Sequence, residues 1–149
     1  MMADEGYIQD FAIDESFTSP GRTITETDLV NYLGLSAFFE EVFYNATLAR
    51  DSVFGRRVVP TVLILALAEG LFVLSGRLTK GVAFLSLTDL VMHSPAAVGD
   101  MLTVTLRVKS TRLTSKPGRG ILEMHHAVHT EDARLVMEYV SSRMMLARD

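Results

Sequence analysis

Residues 61–74 read TVLILALAEGLFVL, apolar on nearly every side of a helical wheel, with Glu69 the one charge. The pattern predicts a long helix over about 60–75, opened by Pro60, whose missing N–H is tolerated in a first turn. A helix without a polar face must be surrounded by protein or lipid. The run falls short of the roughly 20 residues needed to cross a bilayer, so burial in protein is expected. Gly70 within it costs about 1 kcal/mol relative to alanine and is expected to admit close approach of another backbone, here a sheet. Glu69 is expected to reach a solvent edge or pair with an arginine, because a buried unpaired charge is too costly to keep.

Beyond residue 80 the apolar spacing changes to two. Leu102, Val104, Leu106 and Val108 alternate with Thr103, Thr105, Arg107 and Lys109, the period of a half-buried strand. After the Lys116-Pro117-Gly118 turn, Leu122, Met124, His126 and Val128 share one face, with Glu123, His125 and His129 on the other. Glu131-Asp132 turns the chain into a last strand over 135–146. Val82, Phe84, Leu90 and Val91 bracket either a strand pair or one long bent strand. Tight turns between long neighbours imply an antiparallel sheet, here wrapped around one buried helix, an α+β architecture.

Ahead of the helix, residues 1–20 read as an acidic arm that docks through Tyr7, Phe11, Ile13 and Phe17. A short strand is expected at 22–24. Thr25 and Asp28 form a capping box for a helix that stops near Gly34 or shortly after. Residues 36–55 read as a loop with a helical turn around 46–50. One domain over 1–149 is expected, since domains run at roughly 100–200 residues.

Composition narrows the function. A net charge of −4 leaves no basic stripe for nucleic acid. The absence of cysteine excludes disulfides, zinc-thiolate sites and cysteine nucleophiles. It also suits a reducing cytoplasm. The N-terminal MMADEGYIQDF lacks the basic and apolar regions of a signal peptide, so a cytoplasmic chain that binds no membrane is expected. The 48% apolar content is ample for a core, and the eight methionines with a mean hydropathy of +0.25 suggest more buried surface than a small monomer needs, so a homodimer or higher oligomer is expected. His126, on the apolar face, reads as a hydrogen-bonded core residue. His93, just before Pro95 at a strand end, is of the type that catalyses near pH 7, but a lone histidine reads first as a satisfied surface or interface residue. His125 and His129 are four strand residues apart at roughly 3.3 Å each, too far for a metal pair, and no metal site is expected.

The sequence resembles the MaoC-like dehydratase family, which includes (R)-specific enoyl-CoA hydratases. The resemblance is carried by FTSPGRTITETDLVNYLGLS (17–36), by FGRRVVP leading into the long helix, by HSPAAVGDMLTVTLRV (93–108) and by PGRGI (117–121). It covers nearly the whole chain and implies a hot-dog fold, with thioester sites at a dimer interface and no cofactor beyond coenzyme A as the carrier part of an acyl-CoA substrate. Family members typically carry D-x-N-P-x-H between the first helix and the central one. The matching window here is FFEEVF. Phe38 and Phe43 stand at the Asp and His positions, and Glu40 and Glu41 at the Asn and Pro positions.

Phenylalanine can neither polarise water nor protonate a carbon, steps worth roughly 10²–10⁴-fold each. The resemblance therefore implies a hydratase or dehydratase scaffold with a departed active site. Glu41, and next Glu40, are the candidate acid or base, with a pKa expected to rise by desolvation among Phe38, Phe39 and Phe43. Backbone N–H groups at Thr61 and Val62 are the candidate oxyanion donors, since a helix N-terminus offers unpaired N–H groups whatever its side chains. Thr61 occupies the position of the family's usual glycine. Tyr44 and Asn45 are candidates to bind a substrate carbonyl. Arg56 and Arg57 are candidates for coenzyme A phosphates, against a bland alternative of pairing with Asp51. Lys116 and Arg119 form a second basic candidate. The rival functions are a non-catalytic acyl-CoA-binding or scaffold subunit, with Phe38, Phe39 and Phe43 lining or plugging the old tunnel, and a hot-dog thioesterase.

Overall fold

The computed structural model describes residues 5–149; residues 1–4 of the expected arm lie outside them. Ten elements follow a short 3-10 turn at Ile8–Asp10: β1 (Ser16–Thr18), β2 (Arg22–Thr23), α1 (Glu26–Ser36), α2 (Glu41–Tyr44), α3 (Ala46–Asp51), α4 (Thr61–Leu74), β3 (Gly81–Met92), β4 (Met101–Leu113), β5 (Arg119–Thr130) and β6 (Leu135–Leu146). The strands form one six-stranded sheet in the order β1-β4-β5-β6-β3, with β2 also on β4. Every pairing is antiparallel.

Alternation in β4, β5 and β6 decides which face is inside. Leu102, Val104, Leu106 and Val108 of β4 and Leu122, Met124, His126 and Val128 of β5 are all buried. Met137, Tyr139, Ser141 and Met145 of β6 continue the same layer. Against it lies α4 through Leu63, Ile64, Leu67, Ala68, Leu71 and Phe72. Thr25 caps α1 as expected: its hydroxyl accepts from Asp28 N at 3.1 Å, and the Asp28 carboxylate accepts from Thr25 N at 2.9 Å. The stretch expected as a strand pair or one bent strand is a single strand, β3, bent at three register shifts against β6. Asp89 sits at the last of these with φ 55°, as an unpaired bulge residue does.

Three expectations need correction. The helix is not enclosed: Val62 and Val73 are each 56% exposed, and Ala66 and Gly70 are open on the same side. No backbone of the protomer's sheet approaches Gly70, because a Cβ there would meet nothing within 4 Å. The arm docks through Phe11 and the unforeseen Ile8, both buried, while Ile13 is exposed. Phe17 does pack, with its ring 6.2 Å from that of Phe72. Tyr7 lies between the cations of Lys80 and Arg148, at 5.1 and 4.7 Å. Among the described residues no helix is long and apolar enough to cross a membrane.

Candidate functional site

A cleft of about 380 Å³ opens where the chain enters α4. Its walls come from Glu40, Val42 and Phe43 at α2, from Phe54, Val58, Val59 and Thr61 before and at α4, and from Met92 to Pro95 at the end of β3 and just beyond it. Two backbone links hold these walls together. Val58 bridges Ala97, and Val59 N donates to Ala96 O at 2.9 Å. Pro60 O accepts from both Leu63 N and Ile64 N, at 3.1 and 3.2 Å. The N–H groups of Thr61 and Val62 are thus left as first-turn donors without an intrahelical partner, with Thr61 on the cleft wall.

The structure divides the expected site residues. Glu40 lines the cleft, whereas the Glu41 carboxylate accepts from Asn45 Nδ2 at 2.6 Å. Asn45 also caps α3, accepting from Leu48 N at 3.1 Å. Both glutamates are exposed, so the expected desolvation is not found in the protomer. Of the aromatic trio, Phe43 alone lines the cleft. Phe38 backs it at a ring separation of 5.8 Å, and Phe39 turns away onto Tyr44 at 6.3 Å. Of the trio, only Phe43 therefore walls the cleft, and an open volume remains beside it.

Arg57 is paired with Glu26, and Arg56 lies 3.6 Å from Asp100. Asp51 pairs with Arg50 at 3.3 Å instead. Arg56 remains half-exposed and near the cleft, since Asp100 also meets Arg134 at 3.4 Å and Arg134 donates to Pro95 O at 2.5 Å. Lys116 and Arg119 belong to the β4–β5 turn and do not line the cleft.

His93, which the sequence offers as a possible catalyst but which reads there as a satisfied surface or interface residue, belongs to the site. It stands in the cleft wall, with Nε2 2.7 Å from Glu138 Oε2. The other oxygen of Glu138 lies 3.0 Å from His125 Nε2. No local sequence signal joins these three, because β3, β5 and β6 meet only in the folded sheet. Among the described residues no group of three or more His, Asp or Glu could hold a metal ion.

A sheet curved round one helix, with a cleft at the helix N-terminus, is the hot-dog architecture. A conserved hypothetical protein from Mycobacterium tuberculosis with a double hotdog fold superposes with a TM-score of 0.87 at 21% identity, over 99% of this chain and 46% of that one. Protein MaoC from Klebsiella aerogenes is 32% identical over 114 residues, 76% of this chain and 33% of the relative. Mesaconyl-CoA hydratase from Haloarcula marismortui is 30% identical over 110 residues, 73% of this chain and 30% of the relative. This chain belongs to the MaoC-like hot-dog family. It spans about a third of the length of the curated relatives it matches. No family model matches it.

Proposed function

We propose that the chain binds an acyl thioester, with coenzyme A as the carrier, in the cleft at the start of α4, and acts there as a hydratase or dehydratase. The observation that carries this reading is the conjunction of an open cleft, first-turn N–H donors at Thr61 and Val62, and Glu40 lining the same cleft. The two N–H groups would take the charge that develops on the thioester oxygen, where preorganised donors act most strongly. Glu40 would act as the base, accepting a proton from the water that adds to Cβ. With Phe38 and Phe43 at the usual acid and imidazole positions, that work falls to other residues. Cytoplasmic placement belongs to the same reading.

Glu40→Gln should lower the rate of crotonyl-CoA hydration by roughly 10²-fold, the low end for loss of a positioned base. Glu41→Gln should leave it within about threefold of wild type, because Glu41 is held by Asn45. Undiminished hydration by Glu40→Gln excludes the mechanism. Tight binding of butyryl-CoA without turnover of any enoyl-CoA would favour the non-catalytic rival.

The same reading includes a homodimer. Strand β3 is a 12-residue edge with Val82, Phe84, Leu85 and Val91 exposed. A long, apolar, unpaired edge invites another strand. Beside it, Val62, Ala66, Gly70 and Val73 form an open apolar stripe on α4. A second copy covers both surfaces at once, and the two-unit arrangement named in the double hotdog protein supports it. Val73→Asp should then shift the sedimenting species from dimer towards the 16.5 kDa protomer. An unchanged sedimentation coefficient would exclude this face as the interface.

A further inference from the structure

We propose that His93 is the proton donor of the cleft, held in place by Glu138. This rests on the acyl-thioester reading and supplies the second group that the reaction needs. A base removes a proton from water, but the α carbon must also receive one, and a separate donor spares Glu40 from serving both carbons.

Four observations converge on His93. It lies in the cleft wall between Met92 and Ser94. Its Nε2 lies 2.7 Å from Glu138 Oε2, an ion-pair contact once the ring is protonated, and among the described residues no other ion pair reaches its ring, which leaves Nδ1 for chemistry. Glu138 is itself fixed, because its second oxygen meets His125 at 3.0 Å. A carboxylate on one imidazole nitrogen sets the ring's orientation and balances its positive charge while the other nitrogen works. The histidine's backbone is also anchored, since His93 N donates to Val136 O at 2.8 Å. Glu138 and His125 are positioning residues here; His93 is the catalytic one.

The step balances. The oxygen of water bonds to Cβ as Glu40 takes one of its protons. The π electrons move to the thioester oxygen, giving an enolate held by the N–H groups of Thr61 and Val62. The enolate pair then takes a proton from the His93 imidazolium to form the new Cα–H bond. Neutral His93 and protonated Glu40 reset by proton exchange through solvent. Dehydration is the reverse.

The experiment pairs kinetics with a binding readout on the full chain. His93→Gln should lower kcat for crotonyl-CoA by about 10²-fold with KM changed less than about threefold. Glu138→Gln should lower kcat less and displace the alkaline limb of the kcat–pH profile, which a merely structural residue would leave in place. Saturating butyryl-CoA should protect His93, but not His129, from carbethoxylation read by mass spectrometry. Wild-type kcat in His93→Gln overturns the proposal alone, as does an unmoved alkaline limb in Glu138→Gln or full labelling of His93 under bound butyryl-CoA. Wild-type protein that neither binds butyryl-CoA nor hydrates enoyl-CoA overturns the acyl-thioester reading, and this proposal with it.

Discussion

Glu69→Gln is expected to unfold on the order of 3 kcal/mol more easily than wild type at pH 7, the scale for removing one partner of a desolvated ion pair. Glu69 is the single charge of α4, and the sheet beneath it is arranged to receive it. One carboxylate oxygen accepts from Tyr139 Oη at 2.6 Å. The other is paired with Arg143, whose side chain is only 12% exposed. The guanidinium lies over the rings of Phe72 and Phe84, at 5.5 and 4.7 Å. Its Nε has no hydrogen-bond partner among the described residues, and burial lowers its pKa. Glutamine preserves shape and can still accept from Tyr139, but it leaves Arg143 charged with no counter-charge. The cost therefore arises from stranding Arg143 more than from losing one contact.

The double variant Glu69→Gln/Arg143→Met separates these effects, because methionine fills much of the same volume without a charge. It should be more stable than the sum of the single changes predicts, a coupling that a double-mutant cycle measures directly. Urea midpoints should be compared at one protomer concentration, since association would shift apparent stability by mass action. Strict additivity of the two changes would show that the pair contributes nothing.

The strands and the central helix were legible because each rests on a local period. Spacing of two placed β4 and β5 with their inner faces, the Glu131-Asp132 turn placed the start of β6, and the continuous apolar run placed α4. The Thr25–Asp28 box was legible for the same reason, being complete within four residues. What failed depended on partners distant in the chain. An all-round apolar helix does not say whether its own sheet or a second copy covers it, so the open side at Val62, Ala66, Gly70 and Val73 was read as enclosed. Glu40 and Glu41 are adjacent in sequence, and only the four-residue α2 decides which faces the cleft. Arg56 and Arg57 found Asp100 and Glu26, not nearby Asp51, because the segment before α4 folds back along the loop after β3. His93 and Glu138 are brought together by register alone: Val91 pairs with Glu138 across β3 and β6.

Acid should destabilise this protein earlier than its carboxylates alone would dictate, and His126 is the reason. The ring is fully buried, stacked on Tyr139 at 4.2 Å and 16° and edge-on to Phe72 at 5.6 Å. Nε2 lies 2.7 Å from Ser141 Oγ, while Nδ1 has no hydrogen-bond partner among the described residues. Burial, followed by the charge of His125, pushes its pKa from 6.5 down to about 3. Glu69 lies 3.9 Å from Nδ1 and would favour the charged ring, but that carboxylate is already engaged by Arg143 and Tyr139, so desolvation prevails. The folded pKa is thus below the unfolded one. The unfolded chain binds this proton first, and the stability present above about pH 6.5 is lost as pH falls towards 3. The loss should reach about 3 kcal/mol by pH 4. Asp10 and Glu15, held below the usual carboxylate range by Arg148 and Arg77, add their own losses at lower pH. His126→Gln retains all other charges, so its stability should fall less steeply than that of wild type between pH 6.5 and 4 while starting lower at pH 7. Urea denaturation at pH 7, 6, 5 and 4 reads the difference, and parallel pH profiles for the two proteins would exclude His126 as the acid-sensitive group.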